Sequence, residues 1–447
     1  MRRSSTGVVP AALGATFLVL VAFTSAITTA GDTAGSFGAG IAWQTWILSS
    51  MSLGLAGALM TCGALADERG ARWAMIAGAG GLLAASALAA VAPSIGVFVA
   101  ARVLQGVAGA AMLVGALGFI ALAVPTGPER TRATGLWGAM VGAGIAAGPV
   151  VAGLLAELTD WRLVHWAEAA GALAVLMVAR GLPDLRARVR HPIDPPGALT
   201  LAASMSALTA GLVSGRSDWT APVTVALLVA GVALLALFPL VEARRPVPMI
   251  EPALFREPLF VASVAGALFL GLSTIALMSY LPLFAQRVMG ASVLGSAVLL
   301  TAWSGVSAWV AVETRRLPVG WDGRHRLIAG CAVCAAGLVA LAFVGTTSSW
   351  AVLVPGMVVV GVGSGLMNAA LGRLAVEAVP PERAGMSSGA TNTARYLGGA
   401  AGVALTIAVA TGGGTSSADL VAGWNAAALV AAAFVATGGL VAYVSGR

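Results

Sequence analysis

The chain has 447 residues, of which 59% are hydrophobic and only 10% charged, and its mean hydropathy is +0.93. A water-soluble domain of this length needs far more polar surface, so a soluble enzyme or a soluble binding module is excluded. The formal net charge is +7 and every one of the 25 basic residues is arginine; their placement along the chain points to membrane topology and gives no reason to expect a nucleic-acid partner.

An apolar helix needs about 20 residues to cross a bilayer. Fourteen stretches qualify: 10–30, 41–63, 73–93, 96–124, 133–156, 162–180, 196–214, 221–241, 258–284, 290–312, 327–345, 349–372, 385–410 and 420–444. The first is too long for a signal peptide and lacks a clear processing site, so it reads as a retained span. With the N-terminus inside, twenty arginines fall in inner segments and three, Arg162, Arg216 and Arg287, in outer ones. Arg102 and Arg395 lie within spans. This asymmetry obeys the positive-inside rule. It predicts a multi-pass protein of the cell (plasma) membrane with both termini cytoplasmic.

Between the second and third spans lies a short charged segment, Gly63-Ala64-Leu65-Ala66-Asp67-Glu68-Arg69-Gly70-Ala71-Arg72. It reads as a tight turn at the water boundary, with an acid and two arginines placed to form ion pairs. A weaker echo, Glu313-Thr314-Arg315-Arg316 to Asp322-Gly323-Arg324-His325-Arg326, follows the tenth span. The two longest inner connections, about 181–195 and 242–257, bracket spans seven and eight. The expected organisation is therefore an N-terminal six-helix bundle over 1–195, an inserted helix pair over 196–241 and a C-terminal six-helix bundle over 242–447. Internal duplication of this kind is typical of transporters whose site lies between the repeats.

Glycine is abundant inside the spans, where small residues let helix backbones approach in lipid. Gly361-Val362-Gly363-Ser364-Gly365 is no phosphate loop, since no strand precedes it. Cys331 and Cys334 have C-x-x-C spacing but sit in an apolar helix, so they read as packing residues. No His, Cys and carboxylate cluster has metal spacing, no nucleophile elbow is present and no Walker loop occurs. The chain is not expected to be an enzyme or to use a cofactor.

Five segments in order carry a resemblance over nearly the whole chain. They are the charged turn at 63–72, Arg102-Val103-Leu104-Gln105-Gly106, Gly144 through Gly148-Pro149 to Gly153, Trp161-Arg162-Leu163-Val164-His165-Trp166, and Ser387 through Asn392 and Arg395 to Gly402-Val403-Ala404. Together with Tyr280-Leu281-Pro282-Leu283-Phe284, they resemble the motifs of major facilitator superfamily transporters, and of the fourteen-span drug:proton antiporter group in particular. The resemblance implies an all-α membrane fold, two six-helix bundles plus two inserted helices. It also implies alternating access and export of small molecules in exchange for protons. The chain departs from the group's pattern in the first helix. Phe23-Thr24-Ser25-Ala26-Ile27-Thr28-Thr29-Ala30 carries no acid there, Asp32 lies later, and Glu168 stands where an asparagine is usual.

Candidate working residues follow. Arg102 and Gln105 share one helix face, and an arginine at membrane depth faces the protein interior or a water-filled cavity. Glu168 is the deepest acid of the N-terminal half. Burial would let it take up and release protons, or it could be a permanent partner for His165 or Arg162. Glu168, Arg102 and Asp32 are the candidates for proton coupling. Asp67, Arg69, Arg72, Gln105, Gly148 and Pro149 are the candidates for gating, against plain topology for the charged ones. Trp46, Tyr280, Asn368, Asn392 and Arg395 are candidates to line a substrate cavity, against ordinary packing. The expected partners are a small-molecule substrate, protons and the lipid bilayer, with a monomer as the working unit. The expected function is a proton-coupled exporter of small amphipathic molecules; the alternative is an uncoupled facilitator or a transporter-like sensor without active transport.

Overall fold

In lipid every backbone polar group must be satisfied within its own segment, so apolar stretches of this length can only be helical. The computed structural model describes residues 7–39, 41–185, 195–215, 218–242, 244, 252–318, 320–414 and 416–445. Arg2, Arg3, Arg186, Arg188, Arg190, His191, Arg216, Arg245 and Arg447 lie outside the described residues. Among those described there is no strand. The long helices are α1 Val8–Ser36, α2 Ile41–Arg69, α3 Ala71–Ala90, α4 Ile95–Ala123, α5 Pro128–Leu158, α6 Arg162–Gly181, α7 Pro195–Gly215 and α8 Pro222–Glu242. They continue as α9 Pro258–Met289, α10 Val293–Glu313, α11 Gly323–Ala340, α12 Leu353–Glu377, α13 Ala384–Thr411 and α14 Ser417–Val444.

Twelve of these helices are long and apolar enough to cross a membrane. The other two are α10 and α11, and α11 opens with Arg324-His325-Arg326 in its first turn. α9 runs past the expected 258–284 to Met289, where Gly290 takes up the left-handed conformation, and it contains a π-helical turn, Gly271–Ile275. The charged segment at 63–72 is also more helical than its composition implies. α2 continues through Asp67 to Arg69, and the turn is the single residue Gly70 at φ 99°. A glycine tolerates that positive φ, so one residue reverses the chain.

Two hydrophobic cores divide the molecule. One is built chiefly from α1 to α6 and includes Leu55, Met75, Met112 and Phe119, with Val376, Ala384 and Tyr396 joining it from the other half. The other is built from α9 to α14 and includes Phe284, Leu327, Met357 and Trp424. Small residues set the helix spacing inside each. A Cβ on Gly106 would overlap the carbonyl oxygen of Met51, and one on Gly54 would overlap that of Val103, so α2 and α4 touch backbone to backbone. The Gly-Pro segment of α5 does the same against α1. A Cβ on Gly144 would lie 2.6 Å from the Leu20 Cβ, and one on Gly148 would overlap Thr24.

α7 lies over the seam between the halves. Ala198, Leu201 and Met205 share an apolar cluster with Met60 of α2 and with Met386 and Ala390 of α13. α8 packs chiefly on α7, where Gly211 and Gly231 meet Leu228 and Leu208.

Contacts between the halves concentrate toward one end of the molecule, the end that carries the α2–α3 turn. There Gly63 abuts the Gly385 carbonyl and Gly389 abuts the Leu59 carbonyl. Gly135 and Gly142 of α5 meet Ala311 and Ala308 of α10, and Gly138 meets Asn368 and Ala369 of α12. From Gly144 onward, α5 turns its glycines to α1 instead, and Val150, Val151, Leu154 and Leu158 are exposed.

Candidate proton site and gate

The N-terminal half holds a buried polar network where four helices meet. α4 contributes Arg102 and Gln105, α6 His165 and Glu168, α1 Ser25 and α3 Ser86. All six are buried. The spacing in the sequence produces this directly, since residues three apart on a helix share a face. Glu168 Oε1 accepts from the Ser25 hydroxyl at 2.8 Å. Its Oε2 accepts from the Gln105 amide nitrogen at 2.9 Å and lies 2.9 Å from His165 Nδ1. Gln105 Nε2 also donates to Ser86 at 2.8 Å.

Arg102 does not touch the carboxylate. Its Nη1 donates to Gln105 Oε1 and to the Ala22 carbonyl, each at 2.8 Å. Gln105 therefore stands between the cation and the anion, taking a hydrogen bond from one and giving one to the other. A buried charge is tolerated only when paired and hydrogen-bonded, and here both charges are. The His165 Nε2 and Arg102 Nε have no partner among the described residues.

An aromatic cluster covers the imidazole. The rings of Phe98 and Trp161 stand edge-on to His165, with centroids 5.2 and 5.9 Å away, and Phe37 packs against both. Trp161 is fixed by a hydrogen bond from its indole N–H to Ser36 Oγ at 3.0 Å. Asp32 lies two turns beyond Ser25 on α1 and is exposed, outside the network. Arg162 turns outward to Asp160 at 3.6 Å and to the face of Trp161.

At the α2–α3 end, Asp67 joins the halves. Its two carboxylate oxygens accept from the backbone N–H groups of Gly385 at 2.8 Å and Met386 at 2.7 Å. These are the first free donors of α13, so the acid caps a helix N-terminus and meets the positive end of its dipole. Asp67 thus pairs with a helix end and not with its neighbours. Arg69 stacks over Trp73 at 4.8 Å, and Arg72 donates to the Arg180 carbonyl. Any side chain at 385 would collide with Asp67, as its Cβ would lie 2.5 Å from Oδ1.

The residues expected to line a cavity do not form one cluster. Tyr280 is buried and stacks on Trp424 within the C-terminal core. Asn368 reaches Ser307 at 3.5 Å, next to the α5 contact. Trp46 is half-buried on α2. Asn392 and Arg395 lie together on α13, buried. Ser25 and Ser86 were not singled out by sequence. A lone hydroxyl in an apolar span looks the same whether it bonds its own helix or a carboxylate.

The model for the Major Facilitator Superfamily matches residues 12–403. The chain belongs to the major facilitator superfamily. It is a multi-pass membrane transporter and not an enzyme. Among its relatives are the puromycin resistance protein pur8 of Streptomyces alboniger, 32% identical over 83% of this chain and 74% of that protein. The cephamycin export protein CmcT of Amycolatopsis lactamdurans is 31% identical over 93% and 87%. The multidrug resistance protein Stp of Mycobacterium tuberculosis is 29% identical over 84% and 70%. The fold is shared with the solved proton:xylose symporter XylE, at TM-score 0.74 and 13% identity, covering 99% of this chain and 96% of that one.

Proposed function

We propose that this major facilitator transporter is a proton-coupled exporter of small amphipathic molecules, drugs or natural products, working by alternating access as an antiporter. The observation that carries the reading is the buried carboxylate of Glu168, held by Ser25, Gln105 and His165 beside the charge of Arg102. A group so placed is a proton carrier whose affinity changes when the helices around it move. The relatives named for antibiotic export support the substrate class.

In this reading all fourteen helices cross the membrane and both termini are cytoplasmic. The α2–α3 end is then the inner face, and the contacts gathered there describe a state closed to the cytoplasm. Asp67 on the α13 N-terminus is the latch of that state, with Gly148 and Pro149 setting the pivot of α5 on α1. Opening inward separates α2 from α13 and exposes the donors that Asp67 caps. The proton enters at Glu168 from outside and leaves inside, as the substrate travels the other way.

Purified protein in liposomes tests this. An amphipathic fluorescent dye should move against its gradient when a pH gradient is imposed, and only equilibrate without one. Equilibration alone under both conditions would identify an uncoupled facilitator, the reading favoured by the absence of an acid in the first helix opposite Arg102.

A further inference from the structure

The C-terminal half contains a second buried arginine, and it lacks what Arg102 has. Arg395 is 4% exposed, and its Nε and Nη2 are buried with no hydrogen-bond partner among the described residues. Asn392, three residues earlier, is 1% exposed with Oδ1 likewise unpartnered. Arg395 lies ten residues into α13 from Gly385, about 15 Å along the axis at ~1.5 Å per residue. Among the described residues, the acids on helices packed against α13 are at helix ends: Asp67 and Glu68 on α2, Glu377 on α12 and Asp419 on α14. An arginine at mid-membrane depth normally pairs with an acid or with backbone carbonyls. Among the described residues this one does neither.

The direction of this face follows from the contacts of α13. Gly398 and Gly402 press on the α9 backbone beside its π-turn, at Leu268 and Leu272. Gly385 and Gly389 press on α2. Met386 and Ala390 point to the α7 cluster on the outside of the seam. The sector left over, between the α9 and α2 edges and opposite α7, carries Ser388, Asn392 and Arg395 at i, i+4 and i+7. It faces the interior of the molecule, where Tyr396 meets Phe23 of α1 edge-on at 5.6 Å across the seam. π-turns of the kind in α9 recur at functional sites. Here Gly271 would strike the Arg395 carbonyl if it bore a side chain, so the turn fixes the arginine's height against α9.

We infer that Arg395, with Asn392 beside it, is the binding subsite for an anionic group, a carboxylate or phenolate, on an aromatic amphipathic substrate. The guanidinium supplies the charge and paired donors, Asn392 Oδ1 accepts from a hydroxyl or amide next to the anion, and the Phe23–Tyr396 pair lies beside the ring. The assignment rests on the small-molecule transport reading but is tested by binding, independently of flux.

The probes are 2-naphthoate and its uncharged amide, 2-naphthamide, titrated calorimetrically into the full-length protein in detergent. The wild type should bind the naphthoate at least about tenfold more tightly than the amide, the scale of one charged hydrogen bond. Arg395→Gln should remove that preference, bringing the naphthoate down to the affinity of the amide, and Arg395→Lys should restore part of it. The wild-type comparison needs no variant, so it stands even if Arg395→Gln fails to fold. Equal affinity for the two probes, or binding of neither, overturns the inference. So does a naphthoate preference that survives Arg395→Gln. Gradient-driven flux measured separately in liposomes keeps the two readings apart. Flux without a naphthoate preference defeats the subsite alone. An Arg395-dependent preference without gradient-driven flux defeats proton coupling and leaves the subsite.

Discussion

Arg102 and Glu168 are joined through Gln105 and do not touch: the guanidinium donates to the amide oxygen at 2.8 Å and the amide nitrogen donates to the carboxylate at 2.9 Å. The guanidinium also donates to the Ala22 carbonyl at 2.8 Å, so its hydrogen bonding does not rest on the carboxylate directly. A direct ion pair would instead leave an unpaired buried cation each time the acid was neutralised.

The bridging role of Gln105 makes a specific demand. Gln105→Leu removes its hydrogen bonds to Arg102, Glu168 and Ser86 at once and should lower stability by about 2–4 kcal/mol, on the scale of leaving buried charges without their partner. Thermal unfolding in detergent reads this. Gln105→Glu should weaken coupling while keeping the fold, because a second acid satisfies Arg102 directly. A Gln105→Leu protein as stable as the wild type would show that the two charges are satisfied without the amide.

Asp67→Asn is expected to slow transport by on the order of tenfold with insertion and folding unchanged. An amide can accept only one of the two N–H bonds well, and it lacks the charge that favours the helix N-terminus. The comparison is initial flux at equal amounts of protein in the membrane. Normal flux in the variant would reduce the acid to a topological anchor.

The glycine contacts predict two opposite outcomes for one type of change. Gly106→Ala places a methyl on the Met51 carbonyl and should cost about 1–3 kcal/mol or prevent folding. Gly80→Ala, which meets nothing within 4 Å, should be neutral or slightly stabilising in the middle of α3. Expression and thermal unfolding of the two variants give the answer, and equal behaviour would contradict the close approach of α2 and α4.

Much of this architecture was legible because bilayer thickness and hydrophobic length constrain each other, so fourteen helices could be placed from composition, twelve of them long and apolar enough to cross a membrane. The Glu168 network was partly legible. An arginine, a glutamine and an acid deep in apolar helices stand out because burial is costly. Its two serines did not, since their value depends on which helix lies opposite. The partner of Asp67 was not readable from the charged segment either. The nearest opposite charges in sequence, Arg69 and Arg72, suggested a local ion pair. The actual partner is a helix end 318 residues away, made of backbone donors that leave no mark in composition. Tyr280 illustrates the same gap. Its ring stacks on Trp424, a contact set by tertiary packing alone.

The central claim is that Glu168 carries the coupled proton, and the most direct measurement compares wild type with Glu168→Gln in liposomes, under an imposed pH gradient and in gradient-free substrate exchange. Glutamine preserves the shape and most of the hydrogen bonds of the site but cannot titrate. The account predicts that the variant exchanges substrate across the membrane as the wild type does, yet no longer accumulates it against a gradient when pH differs across the bilayer. Gradient-driven accumulation by Glu168→Gln at the wild-type level would contradict it.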